Sequence, residues 1–305
     1  MQRKIIQHSP TSLGMSLPSK WIHNWNLKKG DTINILENKG VLEITADNFK
    51  PIEKKATIDV QQYGRLIRRK FNNLSKQGYE EITVNYRNEK ELESIKGTLK
   101  TEATMFEMVK KTENHAVFRA ITEISKEEFD NIFNRILFIF KEEIQKSIEY
   151  LRTQEFALLS DILELDASIN RLAHLCQRSI NRRSFEEASC MQYTFLWFIE
   201  KASNNFKYFA NLKPKSVSKA TESFSIAVLE NVMLLMDSCL KYDTHNTIRF
   251  YESQKILAKK GSRMISQKNH SEHLLLHTML SLNEASVYLL SLSFDINPRS
   301  PRAEE

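Results

Sequence analysis

From residue 125 onward this chain is almost free of helix-breaking residues. No glycine occurs between Gly97 and Gly261, and Pro214 is the only proline between Pro51 and Pro298. A helix interior disfavours glycine by about 1 kcal/mol and proline by about 3 kcal/mol relative to alanine. A stretch that avoids both, with apolar residues at spacings of three and four, predicts long helices with short joints. Ser125 and Glu128 form a capping box for the first helix. Its core stripe is predicted as Phe129, Ile132, Phe133, Ile136, Phe140, Ile144, Ile148 and Leu151. A second helix near 157–181 places Leu158, Ile162, Leu165, Ile169, Leu172 and Cys176 on one face. A third near 186–212 does the same with Met191, Phe195, Phe198, Ala202, Phe206 and Phe209, and Lys213-Pro214-Lys215 then breaks the run. Three more helices are predicted over 217–241, 245–260 and 270–293. Their long, medium, long order repeats that of the first three, so residues 125–297 read as two three-helix hairpins stacked into a bundle. Pro298 and Pro301 mark residues 298–305 as a frayed tail.

Residues 52–124 have a different texture. Polar residues ending in Pro51 separate them from what precedes. The pattern reads helix, strand, helix, strand, strand. A helix over 60–76 carries Tyr63, Leu66, Ile67, Phe71 and Leu74 on one stripe, and Gly78 stops it. A strand over 81–86, a helix over 89–99 and a hairpin of 106–110 with 116–121 complete a small α+β unit. Arg65, Arg68, Arg69 and Lys70 fall on the solvent side of its first helix, either as a solvated face or as a surface for nucleic acid or an acidic partner.

At residues 1–48 two alternating strands, 32–37 and 41–45, flank Asn38-Lys39-Gly40, a hairpin connection. A short helix precedes them, with Pro18 placed for its first turn and the run Leu27-Lys-Lys-Gly-Asp31 closing it through a positive φ at Gly30. So small a module cannot bury a core alone, so a homodimer is expected.

Composition narrows the function classes. Apolar residues make up 41%, with 7 glycines and 6 prolines, which argues for a folded, mostly helical chain and against disorder. Unbroken apolar runs such as 136–140 and 233–236 are too short to span a bilayer, so membrane insertion is not expected. The absence of an apolar leader, and three unpaired cysteines (Cys176, Cys190, Cys239) in apolar helical patterns, point to a reduced, cytoplasmic protein with the thiols in the core. Residues 1–124 hold 21 Lys and Arg against 15 Asp and Glu, whereas residues 125–305 hold 23 against 23. The whole excess of +6 therefore lies in the N-terminal part, as a phosphate-contacting surface would require and as a plain solubility bias would also produce.

Two resemblances follow from these residues. The pattern LP-x-x-W…L-x-x-GD…hairpin resembles the SpoVT-AbrB swapped-hairpin domain, which implies two chains interleaving their hairpins and presenting a basic face to DNA. On this chain that face would be Arg3, Lys4, Lys20, His23, Lys28 and Lys29, with His8 as a further donor. The helical half is similar to the PhoU family, whose fold is two three-helix repeats and whose (E/D)-x-x-x-D helices hold a multinuclear iron or zinc cluster. The corresponding positions here are Asp166-Ala-Ser-Ile-Asn170 and Glu200-Lys-Ala-Ser-Asn204, with asparagine for the second carboxylate of each pair; the last helix has Asn283-Glu284 at the equivalent place. Asp161, Glu164, Asp166 and Glu200 are the candidate metal ligands that this resemblance implies, alongside the plain reading of solvent-facing carboxylates. An AbrB-like head, an α+β segment containing GYEEITV and IKGTLKTEATMFEMVKK, and a PhoU-like bundle in that order resemble the archaeal phosphate-uptake regulators.

No residue pattern here marks an enzyme. There is no glycine-rich phosphate loop and no Ser/His/Asp or Cys/His order of a nucleophilic family. His270, His273 and His277 lie on one stripe beside Glu272 and are of a type that holds Zn²⁺ or Ni²⁺, but one helix rarely supplies a full site, and polar residues opening an amphipathic helix account for them. The expectation is a regulator of phosphate uptake that binds DNA through a dimeric head, with the bundle as sensor or relay. The alternatives are an adaptor without DNA, docking on a phosphate transporter or signalling partner, and a metal-binding bundle.

Overall fold

The structure, a computed structural model, describes residues 2–38, 40–46, 53–121, 123–182, 190–215, 217–265 and 270–296. The chain is mixed α+β and mostly helical, and it divides into two compact units, Met1–Glu53 and Lys54–Glu305. The tail expected to fray, 298–305, lies outside the described residues.

In the first unit β1 (Ile6–Ser9) pairs with β2 (Ser12–Gly14), a hairpin that the sequence pattern had not disclosed. Helix α1 (Ser19–Asn24) follows, and β3 (Ile33–Asn38) pairs with β4 (Val41–Ala46) in unbroken antiparallel register from Ile33↔Ala46 to Asn38↔Val41. Pro18 stands one position earlier than expected. Its backbone is extended and its carbonyl accepts from the Trp21 and Ile22 N–H groups at 2.9 and 3.0 Å. Helix α1 also ends sooner than expected, with Trp25 capping it and Asn26 at positive φ. Lys28–Asp31 is a separate turn in which Asp31 N–H donates to the Lys28 carbonyl at 3.1 Å and Gly30 takes φ +99°.

The second unit opens with β5 (Lys55–Asp59), a strand missed because its pairing, parallel to β6 (Glu81–Asn85), is non-local. The helix expected over 60–76 is broken at Gly64, whose φ of +49° no helix accepts. It becomes α2 (Val60–Tyr63), a 3-10 turn (Gly64–Leu66) and α3 (Ile67–Lys76), which leaves Leu66 exposed rather than in the stripe. After β6 come α4 (Glu89–Thr101), β7 (Phe106–Lys111) and β8 (His115–Ala120), giving a sheet ordered β5-β6-β8-β7. Phe71 of α3 meets Phe106 and Phe118 edge-on at 5.4 Å each, at the centre of a core that includes Ile82, Val84, Leu92 and Ile95.

Six long helices follow: α5 (Lys126–Thr153), α6 (Ala157–Asn181), α7 (Cys190–Leu212), α8 (Lys219–Leu240), α9 (Thr244–Ile265) and α10 (His270–Ile296). Both halves of the capping box at Ser125 and Glu128 are present. Successive helices pack within each triplet. Between the triplets α5 lies on α8 and α7 on α10, which leaves the middle helices α6 and α9 outside that seam. The Tyr150 hydroxyl donates to the Pro214 carbonyl at 3.1 Å and fixes the joint between triplets against the end of α5. Among the predicted core positions Met191 and Cys190, in the first turn of α7, are exposed; Cys239 is half-buried and Cys176 is buried. By length and composition one described helix, α8, is apolar enough to cross a membrane although its unbroken apolar runs are short. Phe224, Val228, Leu229, Val232, Leu235 and Met236 of that helix are buried in the bundle core.

Candidate functional site

The first triplet contains a polar seam inside its core. Helix α5 buries Glu143 and Ser147 between Phe140, Ile144 and Tyr150. Helix α6 carries Asp166, Asn170, His174 and Gln177, and α7 carries Glu200, Ser203 and Lys207, each set at spacings of three or four residues. Glu143 and Ser203 are fully buried, and Asp166, His174 and Glu200 nearly so.

The seam has two linked parts. In the first, Ser203 Oγ lies 2.8 and 3.0 Å from the two oxygens of Glu143 and 3.3 Å from Asp166 Oδ1. One hydroxyl has one proton to donate, so it cannot satisfy two carboxylates. The contacts are consistent when Glu143 is a neutral acid that donates to Ser203, which donates on to Asp166. Burial raises the Glu143 carboxyl well above its ordinary range, and the Asp166 charge adds to this against the opposing Ser203 hydrogen bond. Burial raises Asp166 as well, opposed by Lys207, whose Nζ is 3.7 Å from Oδ2. Asn170 Nδ2 donates to the same Oδ2 at 3.2 Å.

In the second part, His174 Nε2 faces Glu200 Oε2 at 3.3 Å, an ion-pair distance without good hydrogen-bond alignment. Lys201 Nζ lies 2.8 Å from Oε1. Burial opposes charge on Glu200, but the His174 and Lys201 contacts prevail and hold its carboxyl down at about 2. His174 Nδ1 lies 3.2 Å from the Glu102 carbonyl, which only accepts, so Nδ1 carries a hydrogen. Nε2 can then offer a second hydrogen to Glu200 only when the ring is an imidazolium.

The far end of α6 locks into the α+β region. Arg178 is fully buried; Nη1 donates to the Ser75 and Tyr79 carbonyls at 3.0 and 2.6 Å, Nη2 to Glu80 at 3.2 Å, and the guanidinium lies 5.3 Å from the Phe106 ring centre. Burial lowers its pKa to about 10. Asn181 Nδ2 donates to the Lys76 carbonyl at 2.8 Å, and Arg182 pairs with Glu80 and with Glu123. One helix therefore carries both the seam and the clamp.

The candidate metal ligands do not converge. Asp161 pairs with Lys146 at 2.8 Å on the bundle surface, and Glu164 is exposed. Asp166 and Glu200 are buried, but each faces nitrogen groups of the chain itself, the Lys207 ammonium for one and the His174 ring with the Lys201 ammonium for the other. Among the described residues no three His, Cys, Asp or Glu side chains group as an ion-coordinating set. The donor set thus does not fit an iron or zinc cluster, and the buried carboxylates face lysine and histidine nitrogens of the chain instead. In the histidine stripe, Glu272 is occupied elsewhere, accepting from Ser218 N and Oγ at 3.0 and 2.9 Å at the start of α8, and His277 is exposed.

In the first unit Arg3, Lys4, Lys20, His23, Lys28 and Lys29 are all exposed, and none forms an ion pair among the described residues. His8 is exposed too. Sequence reasoning did not single out Glu143, Ser203, His174 or Arg178. Glu143 carried a legible signal: with Ile136, Phe140, Ser147 and Tyr150 it keeps the four-three spacing of a core stripe, so its charge was bound to be buried. No protein-family model, curated protein or solved structure matches this chain.

Proposed function

We propose that the protein is a dimeric, DNA-binding regulator of phosphate uptake, its first unit forming the dimeric head and its helical bundle serving as sensor or relay. The observation that carries this reading is how little the first unit buries. Ala46 is its one buried residue among those described, whereas Ile5, Ile6, Leu13, Met15, Ile35, Val41 and Leu42 are exposed, Leu13 by 71%. A unit of this size that leaves seven large apolar side chains in water needs a second copy to cover them. The resemblance to the swapped-hairpin domain supplies the form of that partner, and the exposed cations supply phosphate contacts. The two helix triplets and the placement of Asp166 and Glu200 agree with the PhoU-like reading of the bundle, which here is closed by internal cations.

The full-length protein is expected to sediment as a dimer and to unfold at a midpoint that rises with protein concentration. DNA retention should fall steeply with salt. Lys20→Ala should weaken it to a similar degree on unrelated sequences and reduce the salt slope by about 1. A monomer, or a retention indifferent to both salt and Lys20, would favour the adaptor reading.

A further inference from the structure

Helix α9 is the middle helix of the second triplet. It packs on α8 and α10, and its other side faces outward. That outer arc exposes Ile248, Arg249, Tyr251, Glu252, Lys255, Ile256, Lys259, Lys260 and Arg263, and the charges sum to five cations against one carboxylate, a net of +4. Residues 125–305 as a whole hold 23 of each sign, so the rest of that region carries a net of −4 and the excess on α9 is local. Arg249, Lys255, Lys259 and Lys260 form no ion pair among the described residues. Interleaved with these charges, Ile256 is 68% exposed and Ile248 52%, and Lys255 Nζ sits 4.2 Å from the centre of the exposed Tyr251 ring. A shallow depression of about 340 Å³ lies between Ile256, Lys259, Lys260, Arg263 and Met264.

From this arrangement we infer that the outer face of α9 docks on an anionic phospholipid surface. A nucleic-acid phosphate backbone would use the cations but give nothing to two exposed isoleucines. The interface of an anionic bilayer satisfies both, since apolar side chains enter the headgroup–acyl boundary while lysines reach back to the phosphates. The depression beside Lys259, Lys260 and Arg263 has room for one headgroup phosphate. The helix lies along the membrane plane and does not cross it.

Co-sedimentation of the full-length protein with vesicles tests the inference. The protein should pellet with equimolar phosphatidylglycerol and phosphatidylcholine, stay in solution with phosphatidylcholine alone, and be released from the anionic vesicles by salt. Reversing two charges with Lys259→Glu and Lys260→Glu should weaken binding by about tenfold or more. Ile256→Ser should weaken it severalfold while leaving the salt dependence in place. Both changes are on the surface, and circular dichroism confirms folding. No binding to anionic vesicles overturns the inference, as does binding that neither variant changes. If charge reversal abolishes binding but Ile256→Ser does not, the face is a general polyanion surface, and the lipid assignment falls.

Discussion

A carboxyl group without solvent contact has to be neutralised, and Glu143 and Glu200 solve this in opposite ways. Glu143 is held as the acid by burial, so the folded state binds a proton that the unfolded state releases above about its ordinary value of 4.5. Its contribution to stability is full below that value and is lost as pH rises toward its folded-state pKa. Glu143→Gln keeps the shape and a donor for Ser203 while removing the titration. It should match the wild type in acid and exceed it by a margin that grows as pH rises above about 4.5. Glu143→Ala, which leaves Ser203 without its partner and a cavity beside it, should destabilise at every pH, and thermal melts across pH separate the two. Glu200 has the reverse sign. Its pKa is held down at about 2 by His174 and Lys201 against burial, so its stabilisation exists above the ordinary 4.5 and fades as pH falls toward 2. Glu200→Gln should destabilise near neutral pH, because it removes the carboxylate that Lys201 and His174 Nε2 face, and thermal melts should show the difference shrinking as pH falls toward 2.

Among the elements, α9 shows how one small residue sets a packing distance. Gly261 is buried where a Cβ would come within 2.6 Å of Phe224 Cζ and 2.7 Å of Leu280 Cδ2, so the glycine lets α9 approach α8 and α10 closely. Helix propensity alone would make Gly261→Ala stabilising by about 1 kcal/mol. Overpacking against two core side chains outweighs that, and the substitution should instead destabilise by about 1–3 kcal/mol in denaturant titrations. Helix α6 shows the complementary case, an element whose polar residues serve two neighbours. Its middle faces the seam and its last turns grip the end of α3, Tyr79 and Glu80 after it, and Phe106 of β7.

At the scale of the whole molecule, the Arg178 clamp ties the α+β region to the bundle, together with Asn181 and Arg182. Arg178→Lys keeps the charge but loses the fork that reaches Ser75, Tyr79 and Glu80 together. Calorimetry should show the α+β core of Phe71, Phe106 and Phe118 melting at a lower temperature relative to the bundle than it does in the wild type. Local pattern was enough to place most elements. The spacing of apolar residues and the scarcity of glycine and proline located the six long helices to within a few residues, and Ser125 with Glu128 marked a helix start, because these signals act within one turn of chain. Strand β5 escaped such a reading since its stability comes from β6, more than twenty residues away, and the break at Gly64 could not be separated from a tolerated helical glycine. Asp166 and Glu200 were legible as motif positions, but whether they would meet a metal or a cation was not. That was decided by tertiary structure, which brings Lys207 to Asp166 and His174 to Glu200 across the α6–α7 interface, whereas Lys201 is Glu200's own neighbour in sequence. Spacing within one helix can mark a carboxylate for burial, as at Glu143, but the facing-helix partners that meet a buried carboxylate come from distant parts of the chain, and no such spacing encodes them.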